Sequence, residues 1–433
     1  MTPRNRNVMK KVLFCSLLVI LASCVSNKKI QKAQREITKS ALPQPEVVAK
    51  PAVVAIKSRY LLKDSTTARI FLELDIENLK ADKALTQLKE YFRFSWLLQP
   101  DYGVRDRLAT GKIDITEQNT VLKEGKILLN FEIPRPKNIP KGLLLTEIFE
   151  VENSKKSNND LAIDFNGTRL NDRFGVFVND VSMPIFKNYI SQKDTFQIKS
   201  VIPQAKELFL IRYNNEFEPA QSPMATSIRP AIKSLEIKEI IKIQTNTPIS
   251  LPNEGLYLAV EDTNVTRNGF GFMIVDNRFP RFTRPEKLAK PLIYISSSQE
   301  TKAVSENKDA KQALDRYFLT VTGGNQVLSK KINKTYYHRN EDANRLFTTY
   351  KEGWKTDKGM VYIVLGPPNK VQRSRDREVW MYAQSQNFSE IIFTFNRKPN
   401  QFTENYYELV RYPEYQAYWY PFVEAWRTGN VVE

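Results

Sequence analysis

The feature that most limits what this chain can fold into is a period-two alternation of apolar and polar residues, repeated in short runs. Ala68–Ile76 alternates, as do Tyr91–Leu97 and Ile127–Ile133, and Leu143–Val151 and Leu161–Phe165 continue the series. Alternation places one set of side chains on each face of a strand, and such a surface is buried by pairing into sheets. Polar turns such as Pro100-Asp-Tyr-Gly103 and Lys123-Glu-Gly125 separate the runs, with no helical run between them. Strands at this spacing predict an antiparallel sandwich over residues 58–166. A second block, 167–299, offers Phe174–Val178, Thr195–Val201, Glu207–Tyr213, Leu235–Gln244, Gly255–Val260 and Gly269–Val275, closed by Leu292–Ser296. Pro219, Pro223 and Pro230 mark a long loop within it, and the block reads as a second sandwich.

Beyond Ser298 the period lengthens. Ala310, Ala313, Leu314, Tyr317, Phe318 and Val321 predict a helix that stops at Gly323-Gly324. Glu341–Glu352 predicts another, with Ala343, Leu346, Phe347 and Tyr350 on one face and Gly353 as the left-handed residue ending it. Met360–Leu365, Glu378–Tyr382, Glu390–Phe395 and Tyr406–Tyr412 read as four antiparallel strands, and Phe422–Arg427 as a last helix capped by Gly429. The expected fold is mainly β with a C-terminal α+β part. Two tandem antiparallel β-sandwich (Ig-like) domains precede a small helix-plus-antiparallel-sheet domain over 300–433.

The N-terminus carries Arg4, Arg6, Lys10 and Lys11 ahead of the apolar stretch Val12–Ser23, which has the length of a secretory signal. Leu21-Ala-Ser-Cys24 resembles the lipobox of bacterial lipoproteins. That resemblance implies a signal peptide at 1–23, a diacylated Cys24 and an exported, membrane-tethered protein. Several acyl chains anchor stably where one does not. Residues 24–57 read as a basic, Pro-containing tether, with a weak amphipathic helix at Lys28–Ser40 followed by Pro43, Pro45 and Pro51.

The chain has two cysteines, Cys15 in the signal and Cys24 at the lipid site, so the folded part has no thiol for a disulfide, a nucleophile or a metal. Stability must come from core burial. Of the net charge of +17, +4 lies in the signal, +6 in residues 25–59 and +7 in the remaining body. The basic tether suits anionic headgroups. An exported protein without a nucleic-acid-binding signature is not expected to bind nucleic acid.

Gly353-Trp354-Lys355-Thr356-Asp357, followed by Lys358-Gly359 and then Gly366-Pro367-Pro368, resembles the signature of the GWxTD-domain proteins of bacterial envelopes. Glu378-Val-Trp380-Met-Tyr382 and Trp426-Arg427-x-Gly429 fit the same pattern. Specific motifs cover residues 300–433, and the family layout of a lipoprotein signal and β domains ahead of the motif extends the likeness to the whole chain. The family often continues Gly-Pro-Pro with an acid, where this chain has Asn369. The resemblance implies an envelope protein and brings no catalytic residues. On physical grounds each motif residue has an architectural use. Gly353 ends a helix, Thr356 and Asp357 close a turn, Gly359 supplies a positive φ before a strand, and Gly366-Pro367-Pro368 ends that strand. Trp380 and Tyr382 share one strand face. The alternative is a surface groove around Trp354, Asp357 and the Gly-Pro-Pro loop that grips a peptide or glycan.

No catalytic constellation is legible. His338 is the only histidine and reads as a surface residue, and no zinc or serine-hydrolase motif accompanies it. Gly269-Phe-Gly-Phe272 is too short for a dinucleotide loop and reads as strand packing, while Glu261, Asp262 and Asp276 read as solvated loop acids. The C-terminal aromatics, Tyr406, Tyr407, Tyr412, Tyr415, Tyr418, Trp419, Tyr420, Phe422 and Trp426, suit a sealed core, a protein interface or a sugar-stacking platform. The expected function is that of a cofactor-free, non-enzymatic adaptor or scaffold, lipid-anchored at the periplasmic face of the outer membrane. Its GWxTD domain would bind an envelope protein, a secretion or envelope-biogenesis complex being one candidate. The alternative is a glycan-binding protein or carbohydrate-active enzyme.

Overall fold

Two hydrogen-bonded sheets face each other across the first core. They are built from β1 (Ala52–Leu62), β2 (Thr67–Glu77), β3 (Phe92–Gln99), β4 (Ala109–Ile113), β5 (Thr120–Lys123), β6 (Lys126–Pro134), β7 (Lys141–Glu150) and β8 (Lys155–Asp164). The strand orders are β1-β2-β6-β5 and β4-β3-β7-β8, and every pair is antiparallel. Ile70, Leu72 and Leu74 of β2 meet Leu98, Leu144 and Ile148 of the opposite sheet in one core. This is a sandwich, as the alternation implies. The computed structural model describes residues 49–431 apart from 180–181, 215, 228–233 and 384–389. Cys24, the signal and the expected Lys28–Ser40 helix lie outside the described residues, as does Pro230.

Three local readings change. A helix, α1 (Ala84–Tyr91), precedes β3, because Ala84 and Leu88 stand four apart and both drop into the core. β1 begins at Ala52, inside the segment read as tether, because Val53 packs in the sandwich core. β8 extends back to Lys155 through a polar run with no alternation, held by its full register with β7.

The second sandwich comprises α2 (Leu170–Arg173) and β9 (Gly175–Val178), β10 (Tyr189–Ser191), β11 (Phe196–Lys199), β12 (Glu207–Tyr213), β13 (Ile237–Gln244), β14 (Gly255–Val260) and β15 (Phe270–Val275). A five-stranded sheet, β10-β15-β14-β12-β13, packs on the two-stranded β11-β9. Phe174, Val176 and Ile198 fill the space against Leu210, Tyr257 and Phe272. The β10–β15 pair is parallel, a departure from the expected all-antiparallel pattern. All six residues of β14 are buried, because the outer sheet face is covered too, with Phe402 and Tyr350 of the C-terminal part against Leu256 and Leu258. The first sandwich contributes a further seam, Leu61, Phe71 and Leu128 against Phe177 and Met183. Residues Pro51–Glu433 thus form one compact body.

The C-terminal part contains α3 (Pro285–Ala289), α4 (Ser298–Ser305), α5 (Ala310–Val321), α6 (Gln326–Phe347), α7 (Asp357–Leu365) and α8 (Gln416–Thr428). Its sheet is β16 (Lys370–Arg373), β17 (Arg377–Tyr382), β18 (Ile391–Arg397) and β19 (Tyr407–Leu409), antiparallel in sequence order. Gly323 and Gly324 stop α5 at positive φ, and Gly429 caps α8 in the left-handed conformation. Two expected strands are corrected to helix. Leu292–Ser296 falls largely within a 3-10 turn, Lys290–Tyr294. Met360–Leu365 belongs to α7, a helix buried on nearly all sides. A short continuous apolar run has no periodicity to separate a buried strand from a buried helix. No helix among the described residues is long and apolar enough to cross a membrane.

Candidate functional site

The Gly-Trp-Lys-Thr-Asp segment sits between the C-terminal end of α6 and the start of α7. Gly353 opens a 3-10 turn, Gly353–Lys355, and has no positive φ, contrary to the expected left-handed cap. Its requirement is close approach. A Cβ at Gly353 would stand 1.9 Å from the Ala343 carbonyl oxygen of α6. Gly359 is likewise helical rather than left-handed, and a Cβ there would stand 1.9 Å from the Gly353 carbonyl oxygen. The two glycines let α6, the turn and α7 stack backbone to backbone.

Trp354 is 1% exposed. Its amide donates to Asn344 Oδ1 at 3.1 Å, its indole N–H to Glu352 Oε2 at 3.1 Å, and its carbonyl accepts from the Tyr294 hydroxyl at 2.8 Å. Thr356 is the N-cap of α7: its Oγ1 accepts from the Gly359 amide at 3.0 Å and donates to the Gly353 carbonyl at 2.7 Å. Asp357, 8% exposed, occupies the first turn, where an acid complements the helix dipole. One carboxylate oxygen accepts the Leu409 amide of β19 at 2.7 Å, and the other accepts Arg411 Nη2 at 2.6 Å. Arg411 also donates to the carbonyls of Ser222 and Gln221 in the loop after β12. Asp357 therefore ties α7, β19 and the second sandwich together.

The far end of α7 is closed just as fully. Trp426 Nε1 donates to the Val364 carbonyl at 3.0 Å, and the Tyr382 hydroxyl donates to the Gly366 carbonyl at 2.9 Å. Arg339 lies beside the same terminus, its guanidinium 5.0 Å from the Trp426 ring centre. Gly366 takes φ +89° and ends α7 rather than a strand, and Pro367 and Pro368 lead into β16. Asn369, standing where an acid was expected, accepts the Ala383 amide through Oδ1 at 2.7 Å. Trp380 and Tyr382 do share the buried face of β17.

Trp354 and Asp357 are thus interior, and neither lines an open groove among the described residues. Trp380 and Trp419, at 2% and 5% exposed, offer no stacking face to a sugar either. Of the C-terminal aromatics, Tyr412 and Tyr420 are half exposed. His338 lies on the surface, 3.7 Å from Asp342. Among the described residues no group of three His, Cys, Asp or Glu side chains could hold a metal.

Beside the motif, Lys358 Nζ pairs with Glu378 Oε2 at 3.0 Å and lies 3.5 Å from the Tyr407 ring centre. Burial pushes the Glu378 carboxyl up, but Lys358, the Trp380 indole N–H and Arg373 together outweigh it and hold it below the usual range. Burial pulls the Lys358 ammonium down to about 8 despite Glu378, and the Lys351 ammonium also to about 8. Each unfolded lysine keeps its proton to about 10.5, so between pH 8 and 10 the unfolded chain binds more protons and these lysines make stability rise with pH. Burial pushes the Tyr415 hydroxyl up to about 12, and its contribution is lost above pH 10, where the unfolded tyrosine ionises. Thermal unfolding of the native chain is expected to show this rise between pH 8 and 10, and that of the double variant Lys351→Met, Lys358→Met to lack it.

A cavity of about 520 Å³ opens where the two sandwiches and the C-terminal part meet. Its wall includes Arg59, Tyr102, Lys187, Thr349, Lys358 and Tyr407. Nine wall residues are Lys or Arg and three are Asp or Glu, so the cavity is strongly basic. Sequence reasoning missed it, and missed Arg411 and Arg373, because each joins segments remote in the chain. Arg373 bridges Glu378 and Asp160 of β8, and Arg375 reaches Asp101 of the first sandwich.

No curated protein matches the sequence. Among solved structures, the complex of Dpr2 Ig1-Ig2 with DIP-Theta Ig1-Ig3 shares 13% identity, covering 53% of this chain and 100% of that chain, at a TM-score of 0.16. A likeness that low carries no argument, and the sandwiches rest on their own topology. The family model of the GWxTD domain matches residues 255–428. The match begins at β14, well ahead of the expected start at 300, and takes in the last two strands of the second sandwich. The buried turn at Gly353–Asp357 and its supports are accordingly the centre of a GWxTD domain, which this chain carries over residues 255–428.

Proposed function

We propose that this protein is a non-enzymatic adaptor of the bacterial cell envelope, anchored through lipid on Cys24 at the periplasmic face of the outer membrane, whose GWxTD domain binds an envelope protein. The observation that supports this reading is the interlock of the body. Arg411 bonds groups of the second sandwich and the C-terminal part, Arg373 bonds groups of the first sandwich and the C-terminal part, and Arg375 reaches from the C-terminal part to the first sandwich, so the three parts act as one rigid unit on a basic tether. Because the motif is interior, the contact falls on the outer surface of the domain. Ile392, on the open face of β18, and Tyr412 are exposed and adjacent through Tyr415, whose hydroxyl donates to the Ile392 carbonyl.

Crosslinking in intact cells followed by recovery of the tagged protein tests this. A defined envelope protein should be recovered with the native chain and lost with Ile392→Asp, Tyr412→Ala at unchanged thermal stability. Cys24→Ser should release the protein from membranes. A native chain that recovers no envelope protein, or a surface variant that recovers it undiminished, contradicts the reading.

A further inference from the structure

Two cations of the three-way cavity, Arg59 and Lys187, have no carboxylate within ion-pair distance among the described residues. Arg59 of β1 donates Nη1 to the Ile185 carbonyl at 3.0 Å and has no carboxylate within ion-pair distance among the described residues. That bond places the guanidinium beside the segment carrying Lys187. Lys187 lies over the Tyr189 ring at 4.7 Å and likewise has no carboxylate within ion-pair distance among the described residues. Desolvation lowers both cations, Arg59 to about 10. The other basic wall residues differ: Lys358, Arg373 and Arg375 are already paired with Glu378, Asp160 and Asp101.

Asn159, Arg169, Asn171 and Thr349 all line the cavity, and each has a buried polar atom with no hydrogen-bond partner among the described residues. Thr349 itself is only 7% exposed. These atoms are inaccessible to solvent, so they lie within the wall and not on its open surface. The Asn159 amide is oriented by its own donation to the Ile56 carbonyl, which leaves Oδ1 as the free atom.

We propose that this cavity is a binding site for an organic phosphate monoester. Two cations without an ion-pair partner among the described residues match the roughly two negative charges of a phosphate monoester, and guanidinium is suited to a phosphate fork. A cavity of about 520 Å³ admits an organic group beyond the phosphate, and small-molecule sites span roughly 300–1,000 Å³. Tyr102 and Tyr407 line the same cavity, with Lys358 already seated 3.5 Å from the Tyr407 ring centre. The site goes beyond the adaptor reading and is independent of it.

The whole mature chain, carrying Cys24→Ser so that it stays in solution, is titrated calorimetrically with glucose 6-phosphate, inorganic phosphate and glucose. It is also sedimented with vesicles of phosphatidylcholine with or without phosphatidic acid, a lipid that presents the same monoester. Saturable binding of glucose 6-phosphate without glucose binding is expected, weakened about ten-fold by Arg59→Met and similarly by Lys187→Met. Lys330→Met, on an exposed face of α6, should leave it unchanged. Binding to phosphatidic acid vesicles alone, lost in the same variants, also upholds the site and identifies a lipid headgroup as its source. If Arg59→Met does not fold, Lys187→Met decides. Absence of saturable binding to every phosphate probe, or native affinity in Lys187→Met, overturns the proposal.

Discussion

Gly353→Ala is expected to be, with Gly359→Ala, among the most damaging single-methyl changes in the protein, costing the GWxTD domain about 3 kcal/mol or more. Overpacking normally costs less, because a neighbouring side chain turns aside. Here the added carbon would lie 1.9 Å from a backbone oxygen of α6 and 2.8 Å from the Asn344 Cα, with no side chain to move. The turn would have to lift off α6, breaking the hydrogen bonds that the Trp354 N–H donates to Asn344 Oδ1 and the Gly353 N–H donates to Thr348 Oγ1. Thermal unfolding should show the C-terminal transition lowered by roughly 10 °C. Gly125→Ala, at a surface turn with nothing within 4 Å, should show only the modest strain of its positive φ. Equal effects at the two positions would mean that close approach is not what Gly353 provides.

Asp357→Ala should rank next, at about 3–5 kcal/mol, because it leaves a mostly buried guanidinium without its carboxylate. The Asp357 and Arg411 side chains are 9% and 12% exposed, so water does little to replace the pair. Asp357→Asn keeps an acceptor for the Leu409 amide and removes the charge, and should fall between the native chain and the alanine variant. Chemical unfolding monitored at the C-terminal tryptophans measures both. An alanine variant of native stability would contradict the bonding described for Asp357.

Much of the architecture is legible in the chain because its strands are amphipathic. Ile70, Leu72 and Leu74 announce β2 through spacing alone, and Glu207–Tyr213 is the strand its pattern predicts. Legibility fails where the run carries no period that tells helix from strand, or no apolar face at all. α7 is covered all round, so its Met360–Leu365 run carries no period and reads as strand. The polar first half of β8 has no apolar face to report it. The motif residues were legible as architecture, yet their geometry was not. Gly353 and Gly359 serve close contact rather than left-handed turns, a difference that depends on Ala343 and on the Gly353 carbonyl. Arg411 was invisible because its partner Asp357 lies 54 residues away, and the cavity because three distant segments build it.

The central claim is that the GWxTD motif is an internal latch, with the Asp357–Arg411 pair as its most concentrated bond. A double-mutant cycle on thermodynamic stability, using Asp357→Ala, Arg411→Met and the double variant, tests it most directly. Side chains in direct buried contact should be strongly coupled, by about 2–3 kcal/mol, with the double variant far less destabilised than the sum of the two singles. Additive effects would contradict the latch and return Asp357 to the role of a surface residue.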